Sequence, residues 1–225
     1  VCTRGARPEL SDLTTAASDN GKLNLEQDYK EETMEVHYLP PNEFQEKAEQ
    51  ESVGMEKIEK IKQAALDTGF WEAGEVPVDS LQFRPDIRKI CEENSCRNYG
   101  TSWACPPAVG TLEDCRKRCE KYAHMLLFSG KFELEDSFDF ASMVRGLGEF
   151  KKMTEQLDHA LGRFVESYQI LSNEGCGRCR KCTWPEAPCR FPDHLYHSIE
   201  GYGLLVSQLA KEAGIRYHNG AHSVT

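Results

Sequence analysis

The sequence predicts a single α+β domain: a small, mostly antiparallel sheet flanked by helices, carrying two cysteine-rich loops. Three observations predict it. Short apolar runs of strand length alternate irregularly with stretches whose apolar residues recur at helical spacing, without the regular strand–helix repeat of a parallel sheet. The chain of 225 residues suffices for one domain with a sizeable core and an appendage. Its ten cysteines are gathered into groups: Cys2 stands alone, five lie between Cys91 and Cys119, and four between Cys176 and Cys189.

Residues 1–54 are polar and acidic and read as an extension, partly ordered against a main domain over 55–225. Within it, Met34, Val36 and Tyr38 alternate with polar residues as an edge strand would, ahead of Pro40-Pro41. Cys2 reads as a spare thiol. From about Gly54 the pattern turns helical through Met55, Ile58, Ile61, Ala65 and Leu66, with Gly69 as the cap. A strand follows over 70–78, then a short helix over 86–92 that delivers Cys91. Thr111 and Asp114 form a capping-box pair opening a helix that carries Cys115 and Cys119 on one face.

The best buried strand is 123–132. A long helix over 140–166 follows, with Val144, Leu147, Phe150, Met153, Leu157, Leu161 and Phe164 as a stripe assigned to core packing. A strand over 167–172 leads into the second cysteine group. A helix over 198–213, capped by Gly214, and a last strand over 215–218 complete the chain. No internal repeat is evident.

Composition excludes several functions. A net charge of −10 argues against a broad basic surface for nucleic acid. No apolar run approaches the roughly 18 residues of a membrane span, and the first residues do not read as a signal peptide. The chain has no glycine-rich dinucleotide fingerprint, no phosphate-binding Gly-Lys-Ser/Thr loop and no His-Glu-x-x-His pattern. Clustered cysteines fit metal ligation in a reducing cytosol better than disulfide stapling.

The ligating pattern is Cys176-Gly-Arg-Cys179-Arg-Lys-Cys182, completed by Cys189. Three thiolates at two-residue intervals, with a fourth more distant, is the arrangement of a ferredoxin-type iron–sulfur loop. The other set is Cys91, Cys96, Cys105 and Cys115, with Cys119 the alternative fourth member. In the iron–sulfur reading each set holds one [4Fe–4S] cluster. In the zinc reading each holds one structural Zn2+, but zinc sites favour paired Cys-x2–4-Cys knuckles, and neither set has that form.

Arg178, Arg180, Lys181 and Arg190 crowd one set, and Arg97, Arg116, Lys117 and Arg118 the other. They would offset the roughly −4 that eight thiolates around two cores of about +2 would add. His194, His197, Glu200 and Tyr202 follow the second group, and either face a centre or serve packing.

These motifs carry a resemblance. Cys91-x4-Cys96, the segment Asn98-Tyr-Gly-Thr-Ser-Trp-Ala-Cys-Pro-Pro, Cys115, Cys176-x2-Cys179-x2-Cys182 and Cys189-Arg-Phe-Pro resemble the predicted metal-binding family DUF2284. So do Ser198-Ile-Glu-Gly-Tyr-Gly203 and Ala213-Gly-Ile-Arg-Tyr217. The likeness runs from about Gly54 to the C-terminus. It implies a cytoplasmic protein typical of anaerobic bacteria and archaea, with iron–sulfur clusters as the expected metal. It further implies an accessory role in anaerobic metabolism, with a corrinoid or methyltransferase component as partner. No reaction comes with it.

The expected function is therefore single-electron transfer to or from a partner protein, through two [4Fe–4S] clusters. One alternative is an enzyme whose Cys91/Cys96/Cys105 cluster leaves one iron open as a Lewis acid. The other is a structural zinc protein with an interaction role. The position of the Cys115 sulfur separates the first two.

Overall fold

A computed structural model describes residues 2–3, 41–173 and 176–225. The edge strand expected at Met34–Leu39 lies outside the described residues. Residues 1–6 and 57–225 form one compact unit, described below, and residues 7–56 group separately.

The unit is α+β, as the periodicities predict. Its central sheet has four strands, β1 (Cys2–Thr3), β2 (Glu72–Pro77), β3 (His124–Ser129) and β5 (Tyr168–Gln169), in the order β2-β3-β1-β5 with every pairing antiparallel. Two small ribbons complete the strands: β4 (Phe132–Glu133) pairs antiparallel with β8 (Ser223–Val224), and β6 (Leu171–Ser172) runs parallel to β7 (His197–Ser198). Among the described residues the five helices are α1 (Pro41–Asp67), α2 (Pro85–Glu92), α3 (Leu112–Cys119), α4 (Phe140–Leu161) and α5 (Val206–Glu212).

Strand β3 divides two cores because successive side chains of a strand point to opposite faces. Met125 and Leu127 join Val76, Val109, Cys115, Cys119, Tyr202, Leu204 and Leu209 on one face. Leu126 points the other way, into Ile58, Ile61 and Ala65 of α1 and Leu157 and Leu161 of α4. Full burial of such a side chain contributes about 1.5–3 kcal/mol. Gly74 of β2 permits a close approach, since a Cβ there would stand 2.2 Å from the Ala213 carbonyl oxygen at the end of α5.

Several elements differ from expectation for identifiable reasons. Helix α1 begins at Pro41, well before Gly54. Proline suits the first helical turn, and the Glu-, Gln-, Lys- and Ala-rich stretch after it favours helix even without an apolar stripe. The stripe on α4 is buried only in its second half: Val144 and Leu147 are 68% and 46% exposed, while Leu157 and Leu161 are buried.

The helix expected from Ser198 starts at Val206. Gly203 adopts a left-handed φ of 74°, which stops the preceding three-ten turn, and a Cβ there would meet Leu112 and the Arg84 backbone at 2.7–3.0 Å. The strand expected over 215–218 is replaced by a clasp. Arg216 donates its backbone N–H and its Nε to the two carboxylate oxygens of Glu72 at 2.7 and 2.8 Å, so that backbone donor is taken by a side chain.

Candidate metal centre

The loop after β6 carries the triplet. Cys176, Cys179, Cys182 and Cys189 line one cavity, together with Ser102, Trp103, Arg178, Arg190 and Phe191. Two local devices shape it. The Ala187 amide donates to the Thr183 carbonyl at 2.9 Å and the Thr183 hydroxyl to the Pro188 carbonyl at 2.8 Å, which turns the chain so that Cys189 returns to the triplet. The Arg190 guanidinium then donates to the Lys181 carbonyl at 3.0 Å, tying the two ends of the turn.

Backbone amides reach the sulfurs. The Phe191 N–H donates to Cys189 Sγ at 3.4 Å, and the Arg178 N–H donates to Cys176 Sγ. Burial pushes the Cys176 thiol up; the Arg178 amide and guanidinium oppose that, while Cys189 and Cys179 push it further. These sulfurs are therefore within electrostatic reach of one another. Amide donors stabilise thiolates and lower the cost of gathering negative charge.

Behind this loop stands a buried carboxylate. Asp158 of α4 accepts from Tyr196 Oη at 2.6 Å and Tyr168 Oη at 2.7 Å, and pairs with His194 Nδ1 at 2.8 Å. Burial alone would raise its pKa, but these donors outweigh it and hold the carboxyl below its ordinary value. Tyr196 in turn accepts from Arg178 Nη2 at 2.7 Å, and Arg178 Nε donates to the His194 carbonyl at 2.8 Å. Helix α4 thus fixes the arginine that sits between Cys176 and Cys179.

The first cysteine group is built on α2 and the turns after it. Cys91 lies in the last turn of α2, and Asn94 and Arg97 take left-handed φ values of 54° and 60°. Cys105 is held between two layers: Gly100 N–H donates to the Pro106 carbonyl at 2.7 Å, and Ser198 N–H donates to the Ala104 carbonyl at 2.8 Å. Arg88 of α2 donates to the carbonyls of Gly201 and Gly110.

Burial pushes the Cys105 thiol up to about 11; the Ser102 hydroxyl opposes this, and Cys96, Cys91 and Glu200 add to it. Burial and Glu200 likewise raise Cys91, against the pull of Arg88. Cys91 and Cys105 therefore both feel the Glu200 carboxylate.

Cys115 and Cys119 sit in the core of the α3 side, both almost fully buried. The capping box is present: the Thr111 hydroxyl accepts from the Asp114 amide at 3.1 Å, and Asp114 Oδ2 accepts from the Thr111 amide at 2.8 Å. Cys115 Sγ lies 3.7 Å from the Val109 carbonyl oxygen and 3.6 Å from Arg118 Nη2. Of the expected cations, Arg118 contacts the Tyr202 ring, Arg116 the Phe83 ring, and Lys117 reaches Glu113 at 3.5 Å. His197 is half-buried beside Gln169 and Tyr202, and burial first, then Arg118, pulls its pKa down to about 4.

The two loops meet. Trp103 Nε1 donates to the Ala187 carbonyl at 3.0 Å, and its ring meets Trp184 edge-on at a centroid distance of 4.6 Å. Ser102 touches both groups, since its hydroxyl reaches Cys105 and it lines the cavity of the second set. Sequence reasoning did not find Ser102, Arg88 or Asp158, because their partners lie far along the chain. The doublet Ser102-Trp103 between cysteines and Trp184 inside the second loop were the available signal.

Among the described residues, no three Cys, His, Asp or Glu side chains converge at the spacing of a single bound ion. No helix among them is long and apolar enough to cross a membrane. The donor set fits an iron–sulfur centre at the second group: four cysteines share one cavity, and two of their sulfurs accept backbone amides.

No curated protein and no solved structure shows significant similarity to this chain. A family model does match it, over residues 74–225, starting later than the resemblance read from about Gly54. On that match, over the segment that holds both cysteine groups, the chain belongs to the DUF2284 family, described as a predicted metal-binding protein.

Proposed function

We propose that the protein holds two [4Fe–4S] clusters and serves as an electron-transfer or redox accessory protein in anaerobic metabolism. Cys176, Cys179, Cys182 and Cys189 would hold one cluster. Cys91, Cys96 and Cys105 would hold the other, with Cys115 the fourth ligand expected from the sequence. Bound there, such clusters supply reversible one-electron storage.

The observation that carries this reading is the contact between the loops. Trp103 is fastened to Ala187 and meets Trp184 edge-to-face, and Ser102 lies against both cysteine groups. Two redox centres so placed exchange electrons through a short, rigid bridge. The chain's own residues do the tuning: amides of Arg178 and Phe191 donate to sulfur, and Arg178 and Arg190 bring positive charge. A partner protein, a corrinoid or methyltransferase component on the resemblance, would give or take the electrons.

A second reading is favoured by the Cys115 sulfur, which is engaged with Val109 and Arg118 inside the core. A first site with three cysteine ligands leaves one iron without a thiolate, which is the basis of Lewis-acid catalysis at a cluster.

Anaerobic reductive titration followed by EPR tests the proposal. Two one-electron steps are expected, and the second should split the first signal through spin–spin interaction. Two signals that ignore each other would contradict adjacent clusters.

A further inference from the structure

The first half of α4 presents an apolar stripe to water. Gly146 fixes how the helix is turned, because a Cβ there would stand 2.7 Å from the Phe132 ring. Phe140, Val144 and Leu147, spaced i, i+4 and i+7 as on one face of a helix, then fall on the exposed side. Four of the ten exposed large apolar side chains among the described residues lie within residues 138–147. Phe138 is 78% exposed and Phe140 69%, so these two rings alone leave about 300 Å² in water. Apolar patches of that size mark interaction sites.

The patch is held in place. Phe138 N–H donates to Asp136 Oδ1 at 2.7 Å, and Asp139 accepts from the amides of Ser142 and Glu135 at 3.0 and 3.2 Å. Room for a second helix exists beside the stripe, since a Cβ on Gly148 would meet nothing within 4 Å. Small residues at a crossing let two helices approach to about 8 Å.

Charge along this side says what covers it. Glu135, Asp136 and Asp139 stand at its N-terminal end, the apolar stripe follows, and exposed Lys152 comes last. Val144 is the midpoint, with Asp136 eight positions before it and Lys152 eight positions after. Reversed end for end, acid–apolar–base reads base–apolar–acid. Glu149 lies about half a turn round from Phe140 and stays off the stripe.

We propose that α4 packs antiparallel against α4 of a second copy of this chain, about a two-fold axis at Val144. The contact is isologous: stripe meets stripe, and Lys152 of each copy lies beside the Glu135–Asp136 loop of the other, twice over. A net charge of −10 repels two copies at long range. The acid–base match at the ends therefore selects this face, and it selects the antiparallel orientation. The pairing is independent of what the cysteines hold.

Sedimentation velocity on the full chain, purified without oxygen and run over a range of micromolar concentrations, tests it. Wild type is expected at twice the mass of one chain. Val144→Glu and Leu147→Glu, each checked by far-ultraviolet circular dichroism, should sediment as monomers. Lys152→Glu should weaken the dimer about tenfold, because two ion pairs are lost at once. Adding Glu135→Lys to it should recover most of that loss, whereas Glu135→Lys alone should weaken the dimer.

A wild type that stays monomeric throughout would overturn the proposal and leave the stripe to a different protein. A dimer that survives both glutamate substitutions would overturn it as well. Should those two variants fail to fold, the charge swap decides: a double variant weakened by the sum of its single changes overturns the antiparallel pairing.

Discussion

Trp103 joins the two cysteine loops, and its contribution can be worked out. Trp103→Phe keeps an aromatic ring but removes the hydrogen bond to the Ala187 carbonyl, which at 3.0 Å has ordinary geometry. Such a bond contributes about 1 kcal/mol net. Trp103→Ala also removes the edge-to-face contact with Trp184, centred at 4.6 Å, worth about 0.5–1.5 kcal/mol beyond burial. Trp103 is only partly buried, so the total loss for alanine should be about 2–3 kcal/mol, below the range for a fully buried tryptophan.

The assay is anaerobic urea unfolding followed by circular dichroism, with Trp103→Ala and Trp184→Ala combined in a double-mutant cycle. A coupling of about 1 kcal/mol is expected. A coupling under about 0.3 kcal/mol would mean that the loops do not support each other, and the adjacency of the two sites would lose its structural basis.

Three further outcomes follow from the same contacts. Asp158→Asn leaves two tyrosine hydroxyls and His194 facing an amide, and should cost about 2–4 kcal/mol with loosened metal at the second group, measured by urea unfolding and metal analysis. Because the folded carboxyl is held below its ordinary value, its stabilisation is present above the unfolded pKa of about 3.9 and is lost as pH falls through the folded one. His197 also costs stability on acidification, over a higher pH range: it stays neutral in the fold down to about pH 4. The unfolded chain takes a proton from about pH 6.5, so a penalty opens below that pH and approaches about 3 kcal/mol near pH 4. Unfolding midpoints from pH 7 to 4.5 should therefore fall more steeply for wild type than for His197→Gln; parallel curves would show that His197 is not held neutral.

What was legible in the sequence was local. The capping box at Thr111 and Asp114 and the helix carrying Cys91 depend on neighbours within a few positions. Strand β3 was legible because an unbroken apolar run can only be buried on both faces. The errors lay where a distant partner overrides a local preference. Gly203 breaks a good helical pattern because its place against Leu112 and Arg84 admits no side chain. Residues near Tyr217 have strand-like character, yet Glu72 claims the Arg216 backbone first. Val144 and Leu147 follow the stripe of α4 but run past the layer that would cover them.

The site divides in the same way. Cysteine spacing marked both groups, whereas the contacts of Ser102, Arg88 and Asp158 join residues far apart along the chain, which no spacing encodes. For Cys115, position in the first turn of α3 suggested ligation, and its sulfur lies among the Val109 carbonyl, Arg118 and Arg88. Orientation about a helix axis is set by packing, which sequence distance does not contain.

The measurement that bears most directly on the account is a count of iron, zinc and acid-labile sulfide in protein purified without oxygen. Two clusters predict about eight iron and about eight sulfide per chain, with negligible zinc. A colourless protein holding about two zinc ions and no sulfide would contradict it.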